Sequence, residues 1–373
     1  MYIKMIRTLS GLCLAASILL VLNVGSPAQS YRSTSDRIAE RKADLYLRKV
    51  MEDSHMPGAS LAVLREGKIV TLKNYGFADL EHSIPVTGRS VFQICSITKP
   101  FTAMGVMLLW QDGKLSIDDP IIKYLPHFSS SAKDVTIRQL LSHTSGIRDY
   151  DLRPETEGEK CVDNTLPDLE KWFRTLDLIS PPGEKWAYQN TGYALLGRLI
   201  QKVSGKSYGE FLKERIFDPL AMSDTRMLSY ESVIARRAKG YAFENGKFVN
   251  GVHIDPEVEF ASGGLVSTTT DLAKLDAALF TDKLLRATTL KEMWSHALFK
   301  DGSPVNSYGL GFGVTPYKGR SRVGHTGGCP GFATAYQRFS DDMISVILLT
   351  NGDQESGLIG SVSNEIAYLY LRK

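Results

Sequence analysis

The chain has 373 residues, of which 43% are hydrophobic and 23% charged, with a formal charge of +3. That is enough apolar material for one large domain or two interlocked ones, without repeats, low-complexity tracts or linkers. The near balance of charge gives no basis for a nucleic acid or an anionic membrane surface as partner.

The first 28 residues read as a secretory signal. Lys4 and Arg7 precede a mostly apolar run over residues 9–24, and Ser26-Pro27-Ala28 places small residues where a signal peptidase cuts. An uncleaved anchor fits less well, because the run is short and broken by Ser10, Gly11, Ser17 and Asn23. An exported protein, periplasmic or secreted and without a stable membrane span after cleavage, is the expectation. Cleavage removes two cations and no acids, and leaves Cys95, Cys161 and Cys329. Three cysteines permit at most one internal disulfide, and no spacing resembles a metal site, so no bridge is assumed and no metal is expected.

Residues 34–53 have apolar positions at roughly helical spacing, with Thr34 or Ser35 as cap. Residues 60–64 and 69–75 read as two strands joined by Glu66-Gly67-Lys68, a hairpin signal, and residues 91–94 as a short strand. A helix apolar on most sides, and so buried, runs from Ser96 to Gly113. Further helices are expected over 136–141, 167–176, 192–203 and 207–216, with a polar surface excursion or lid over 148–166. Residues 230–260 are loop-rich, with one hairpin at Asn245-Gly246. Helices over 269–280 and 285–296 precede strands over 311–315, 321–325, 332–339 and 344–350, and a closing helix over 359–371. Strands at both ends of a helical middle predict an α+β fold: an antiparallel sheet flanked by N- and C-terminal helices, with a mostly helical insertion. The domain spans 34–373, its α/β part about 34–100 and 261–373 and its helical part about 101–260.

Three stretches could carry chemistry. In Ser96-Ile97-Thr98-Lys99 a helix start puts the hydroxyl and the amine on one side, a nucleophile beside a base, near backbone N–H groups that favour an anion. Alone, the pattern is weak and reads better as a helix cap followed by a solvated lysine. In Tyr188-Gln189-Asn190 the first and third side chains of an extended segment share a face. A phenol beside the Lys99 ammonium could take the serine proton, and Asn190 could hold Lys99 or a substrate carbonyl. The plainer readings are a core aromatic and a helix cap. In residues 324–332 the glycines around His325, notably Gly327 and Gly328, mark close backbone approach, and a free N–H at Gly328 could pair with that of Ser96 as an oxyanion hole. Its plainer reading is a glycine-rich turn with an incidental histidine.

Taken together, Ser-x-x-Lys, Tyr-x-Asn and His-Thr-Gly, in this order and at these separations, resemble the penicillin-recognising serine hydrolases: class C β-lactamases, D-alanyl-D-alanine peptidases and related esterases. The resemblance runs from about residue 39 to near the C-terminus and includes Leu140-Leu141-Ser142-His143-Thr144-Ser145-Gly146 and Ala261-Ser262-Gly263-Gly264-Leu265. It implies a β-lactamase/transpeptidase-like fold and an acyl-enzyme formed on an ester or amide carbonyl without a cofactor. It also implies Ser96 as nucleophile, Lys99 and Tyr188 as its proton-handling partners, Asn190 as an orienting residue, and His325, Gly327 and Gly328 along the substrate. The substrate is then a small molecule or peptide, peptidoglycan fragments included. His143 is expected to organise the fold rather than react. Members of the family often have Lys where His325 stands, and Arg322, at odd spacing, points to the other face and does not replace that cation. This favours an esterase or amidase over activities that must hold a substrate carboxylate. A bridge between Cys95 and Cys329 is conceivable but would constrain the site, and is not expected. The rival from another class is a catalytically silent module that binds peptidoglycan fragments or a protein partner in the same cleft.

Overall fold

The computed structural model describes residues 33–127, 130–149 and 173–371. The expected signal, Cys161, and most of the excursion over 148–166 and the helix over 167–176 lie outside the described residues.

The first helix, α1 (Thr34–Asp53), is capped one residue earlier than expected. Ser33 Oγ accepts from the Asp36 N–H at 3.0 Å, and the Asp36 carboxylate reaches back to Ser33. Next come β1 (Gly58–Arg65) and β2 (Lys68–Asp79), joined by Glu66 and Gly67 with φ of 53° and 71°. A two-residue turn with both φ positive matches the twist of the strands it joins, which is why Gly67 sits there. β3 (Ile84–Pro85) is an edge stub. β4 (Phe92–Gln93) leads into a 3₁₀ turn over Cys95–Ile97 and then α2 (Thr98–Gln111), which is buried along nearly its whole length.

The middle of the chain supplies α3 (Ile137–Leu141), α4 (Thr191–Ser204), α5 (Tyr208–Leu212), β5 (Arg226–Met227), the hairpin of β6 (Tyr241–Glu244) and β7 (Lys247–Asn250), and α6 (Pro256–Gly263). Then follow β8 (Leu265–Ser267), α7 (Thr269–Ala278), α8 (Ala287–Trp294), β9 (Gly313–Val314), β10 (Val323–Cys329), β11 (Phe332–Phe339), β12 (Ile344–Thr350) and α9 (Ser356–Tyr370).

The described residues form a seven-stranded antiparallel sheet in the order β3-β2-β1-β12-β11-β10-β9. The N- and C-terminal strands therefore meet at its centre, where Ala59 pairs with Thr350 and Arg65 with Ile344. Both faces are covered. Alternation along β1 and β12 sends Leu61, Val63, Val346 and Leu348 into the cluster under α1 and α9, and Ala62, Leu64, Ile347 and Leu349 into the larger cluster shared with α2, α4 and α7. Each large apolar side chain buried this way contributes about 1.5–3 kcal/mol relative to exposure. This is the α+β arrangement the strand pattern predicted.

β10 differs from expectation in length. The sequence suggests strand only over 321–325, but pairing with β11 continues in register to Cys329, where it meets Phe332. The glycines that read as a turn are strand residues. Beyond Gly324, which pairs with Gly313, the other edge of β10 has left β9 behind.

Candidate active site

Ser96 lies in the 3₁₀ turn at the head of α2, and Lys99 is on the first turn of that helix, fully buried. The Lys99 ammonium donates to Ser96 Oγ at 3.2 Å, to Asn190 Oδ1 at 2.7 Å and to the Ser262 carbonyl at 3.0 Å. Two acceptors thus fix the amine from behind while its third direction meets the serine.

Each acceptor has a local cause. Asn190 is the N-terminal flanking residue of α4, yet its side chain makes no cap. Asp149 caps the helix instead, its carboxylate accepting from the Asn190 N–H at 2.9 Å, the Thr191 N–H at 3.0 Å and Thr191 Oγ1 at 2.9 Å. An aspartate there satisfies orphan amides and complements the helix dipole, which releases the Asn190 amide for Lys99. The Ser262 carbonyl belongs to the last turn of α6, where carbonyls lack intrahelical partners. A break at Phe260, with φ 31° and ψ −117°, precedes it. Ala261 O accepts from Thr102 Oγ1 at 2.6 Å and Leu265 N–H donates to Thr98 Oγ1 at 3.1 Å, so this segment is docked along α2.

Tyr188 lies on an extended segment pinned by His143. The Ala187 N–H donates to the His143 carbonyl at 2.9 Å and the Gln189 N–H to His143 Nδ1 at 3.2 Å. The Lys99 Nζ stands 4.7 Å from the Tyr188 ring centroid and 5.6 Å from that of Tyr193. His143 is fully buried among Tyr188, Tyr193 and Tyr308, with centroids 4.4, 5.1 and 4.7 Å away. Burial, then the nearby Lys99 charge, holds its pKa well below that of a free histidine. It is a neutral imidazole whose Nδ1 accepts a backbone hydrogen bond, and it organises the Tyr188 loop.

His325 on β10 lies beside this cluster, its ring 6.0 Å from that of Tyr188. Its Nδ1–H donates to the Thr326 carbonyl at 2.5 Å, and its Nε2 lies 2.9 Å from the Tyr308 hydroxyl, which donates. Desolvation and the Lys99 charge push its pKa down to about 3. Both ring nitrogens are engaged and the ring is neutral. Arg322 points to the far face, where it donates to Thr315 O at 2.9 Å and to Asn364 Oδ1 at 3.3 Å.

Gly327 is required by the nucleophile turn. A Cβ there would stand 2.4 Å from Ile94 O, 2.5 Å from Thr334 Oγ1 and 3.1 Å from Ser96 N. The sequence suggests room for substrate; the close approach is between β10 and the serine backbone itself. Gly328 follows at an exposed position. Cys95 and Cys329 are bonded, with Cα atoms 5.8 Å apart, which corrects the expectation of no bridge. The glycine-permitted packing of β10 on the 3₁₀ turn brings the two sulfurs together. Asp79, Glu81 and His82 offer a surface cluster of ligand atoms within 4.8 Å. There Lys239 ion-pairs with Glu81 at 2.7 Å and Asp79 at 3.4 Å, so the carboxylates already have their cation.

Ser96, Lys99, Tyr188, Asn190, His325 and Gly327 thus converge from α2, the His143-pinned loop, α4 and β10. Sequence reasoning misses the Ser262 carbonyl, Asp149 and Tyr308. The Gly263-Gly264 pair marks a helix stop and could have pointed to the first; nothing local points to the other two.

A helical region packed on an antiparallel sheet, with this Ser-x-x-Lys at their junction, is the architecture of the β-lactamase-like serine hydrolases. The chain belongs to the Beta-lactamase family, which it matches over residues 43–361. It is 30% identical over 344 residues to penicillin-binding protein 4* of Bacillus subtilis (strain 168), covering 85% of this chain and 73% of that protein. Among solved structures it resembles the D-amino acid amidase of Ochrobactrum anthropi SV3 bound to D-phenylalanine, with TM-score 0.74, 28% identity, and 91% of this chain and 98% of that one covered. It also resembles the octameric penicillin-binding protein homologue of Pyrococcus abyssi, with TM-score 0.74, 29% identity, and 88% and 77% covered.

Proposed function

We propose that the protein is an exported serine hydrolase that cleaves neutral ester or amide substrates through an acyl-enzyme. The observation that carries this is the Lys99 amine, held by Asn190 and the Ser262 carbonyl and 3.2 Å from Ser96 Oγ. Once the ammonium has given up the proton it now donates toward Ser96, the amine can keep N–H groups on those two acceptors and present a lone pair to the serine. Ser96 attacks the carbonyl, Lys99 and Tyr188 take its proton and return it to the leaving group, and water then repeats the sequence on the acyl-enzyme. The N–H groups of Ser96 and Gly328 hold the oxyanion, and Asn190 orients Lys99.

The preference for neutral substrates rests on His325. It is uncharged and engaged with Tyr308 and Thr326, and Arg322 faces α9, so neither supplies a cation for a substrate carboxylate. The likeness to an amidase supports an amide or ester carbonyl. Export is supported by the apolar leader and by the disulfide, which persists in oxidising compartments.

A fluorophosphonate probe and a fluorescent penicillin, each followed by peptide mapping, test the reading together with Ser96→Ala. Labelling at Ser96 and loss of nitrophenyl ester turnover in folded Ser96→Ala are expected. Turnover that survives in that variant rejects the assignment, and absence of labelling by both reagents would favour a silent binding cleft.

A further inference from the structure

Cys95 directly precedes Ser96 and Cys329 directly follows Gly328, so the disulfide brackets both amides assigned to the oxyanion. It joins positions 234 residues apart in sequence. Cys95 has φ of 48°, in the left-handed region that an L side chain adopts only when its surroundings hold it there. If released, Cys95 would relax toward negative φ and swing the Ser96 N–H that follows it. On the other strand, the sulfur of Cys329 anchors the end of β10 just where pairing with β11 stops. Thr334 Oγ1, on β11, also donates to Ile94 O at 3.0 Å, but that bond ends two residues before Ser96 and leaves Cys95 between.

We propose that the Cys95–Cys329 bond is a positioning device for acyl transfer: it holds Cys95 in its left-handed conformation and keeps the Ser96 and Gly328 amides in register. The proposal rests on the acyl-enzyme reading above. The oxidised protein is the competent form, and the reduced protein folds but turns over slowly. Reduction is open from one side. Cys95 is buried, whereas Cys329 is partly exposed next to Gln93 and Pro330, which line a cavity of about 430 Å³. A phosphine attacks the Cys329 sulfur and Cys95 leaves as thiolate. Water then releases the Cys329 thiol and carries its oxygen to the phosphine oxide, so two electrons pass from phosphorus to the disulfide and two thiols result.

The test compares kcat and KM for a neutral nitrophenyl ester in three forms of the full chain. These are untreated protein, protein reduced with a trialkylphosphine that is then removed, and Cys95→Ala/Cys329→Ala, with folding followed by circular dichroism. Mass mapping of alkylated Cys95 and Cys329 gives the fraction reduced. The expected result is a fall in kcat of tenfold or more, with KM within about twofold, recovered on reoxidation of the reduced wild type. Cys95→Gly/Cys329→Ala should regain part of the loss, because glycine adopts positive φ freely. An unchanged kcat in folded, bridge-free protein overturns the proposal, as does a loss that merely tracks the unfolded fraction. If the alanine variant does not fold, the reduced and reoxidised wild type decides by the same criterion. Ser96→Ala run in parallel separates the claims: activity there rejects the acyl-enzyme itself, whereas an inactive Ser96→Ala beside a fully active bridge-free enzyme rejects only the positioning role.

Discussion

Asn190 Oδ1 accepts from Lys99 Nζ at 2.7 Å, closer than the amine stands to Ser96 Oγ or the Ser262 carbonyl. The bond exists because Asp149, rather than Asn190, caps α4. A hydrogen bond to a charged group is worth about 1.5–3 kcal/mol, which converts to roughly ten- to hundredfold in rate if it orients the base. Asn190→Ala should lower kcat by that factor while the protein melts at nearly the same temperature. Steady-state kinetics with a neutral ester checks it, and a loss confined to KM would show that Asn190 contacts substrate instead.

Asp149→Ala should act mainly on stability. It removes the carboxylate that accepts from the Asn190 and Thr191 amides and from the Thr191 hydroxyl. Loss of a helix cap costs about 0.5–2 kcal/mol. Urea unfolding measures it. Asp149→Asn, which keeps an acceptor oxygen, should recover part of the loss.

His325 yields a pH prediction whose sign follows from its lowered pKa of about 3 against 6.5 in the unfolded chain. Between those values the unfolded state holds a proton that the native state does not, so stability rises with pH and is lost as pH falls from about 6.5 toward 3. The full slope for one such group is about 1.4 kcal/mol per pH unit. His143, shifted the same way, adds to it. In His325→Gln the slope of unfolding free energy between pH 4 and 6 should be shallower by about that amount.

Selectivity should be insensitive to the same titration. The ratio of turnover for a carboxylate-bearing ester to that for a neutral ester should stay flat between about pH 5 and 8, the range in which an ordinary histidine titrates. A ratio that climbs as pH falls would mean that His325 is protonated in the complex and holds the carboxylate.

These positions show what can be read in the sequence and what cannot. Helix and strand periods mark the terminal elements and the sheet that joins them, because β1 and β12 are apolar runs and the Glu66-Gly67 turn has one obvious geometry. β10 reads short, since Gly327 and Gly328 carry no side chains to reveal a strand and the pairing that makes them one comes from β11. The alignment of Ser96 with Lys99 follows from helix geometry alone. The roles of Asp149 and Tyr308 do not, because each is defined by a partner distant in the chain: the amides of α4 for one, the Nε2 of His325 for the other. The Cys95–Cys329 bond is hidden for the same reason, as only the packing of β10 on the 3₁₀ turn shows that it fits.

The support beneath His325 is itself open to test. Tyr336 pairs with His325 across β10 and β11, and its hydroxyl donates to Asp276 Oδ1 at 2.8 Å. The same carboxylate holds Arg338, whose guanidinium also donates to the Asp276 carbonyl at 3.1 Å and lies over the Phe280 ring at 4.5 Å. Arg338 and Asp276 are both fully buried. A buried charge stripped of its partner is far more costly than the intact pair is favourable, so Asp276→Ala should destabilise by about 3–5 kcal/mol. Asp276→Leu/Arg338→Met removes both charges and should recover most of that loss. Because neither residue touches the reacting atoms, the folded fraction of each variant should keep the wild-type kcat. Urea titration combined with active-site counting by the fluorophosphonate probe separates the two quantities. A fall in kcat per labelled site would mean instead that this network, through Tyr336, sets the position of His325.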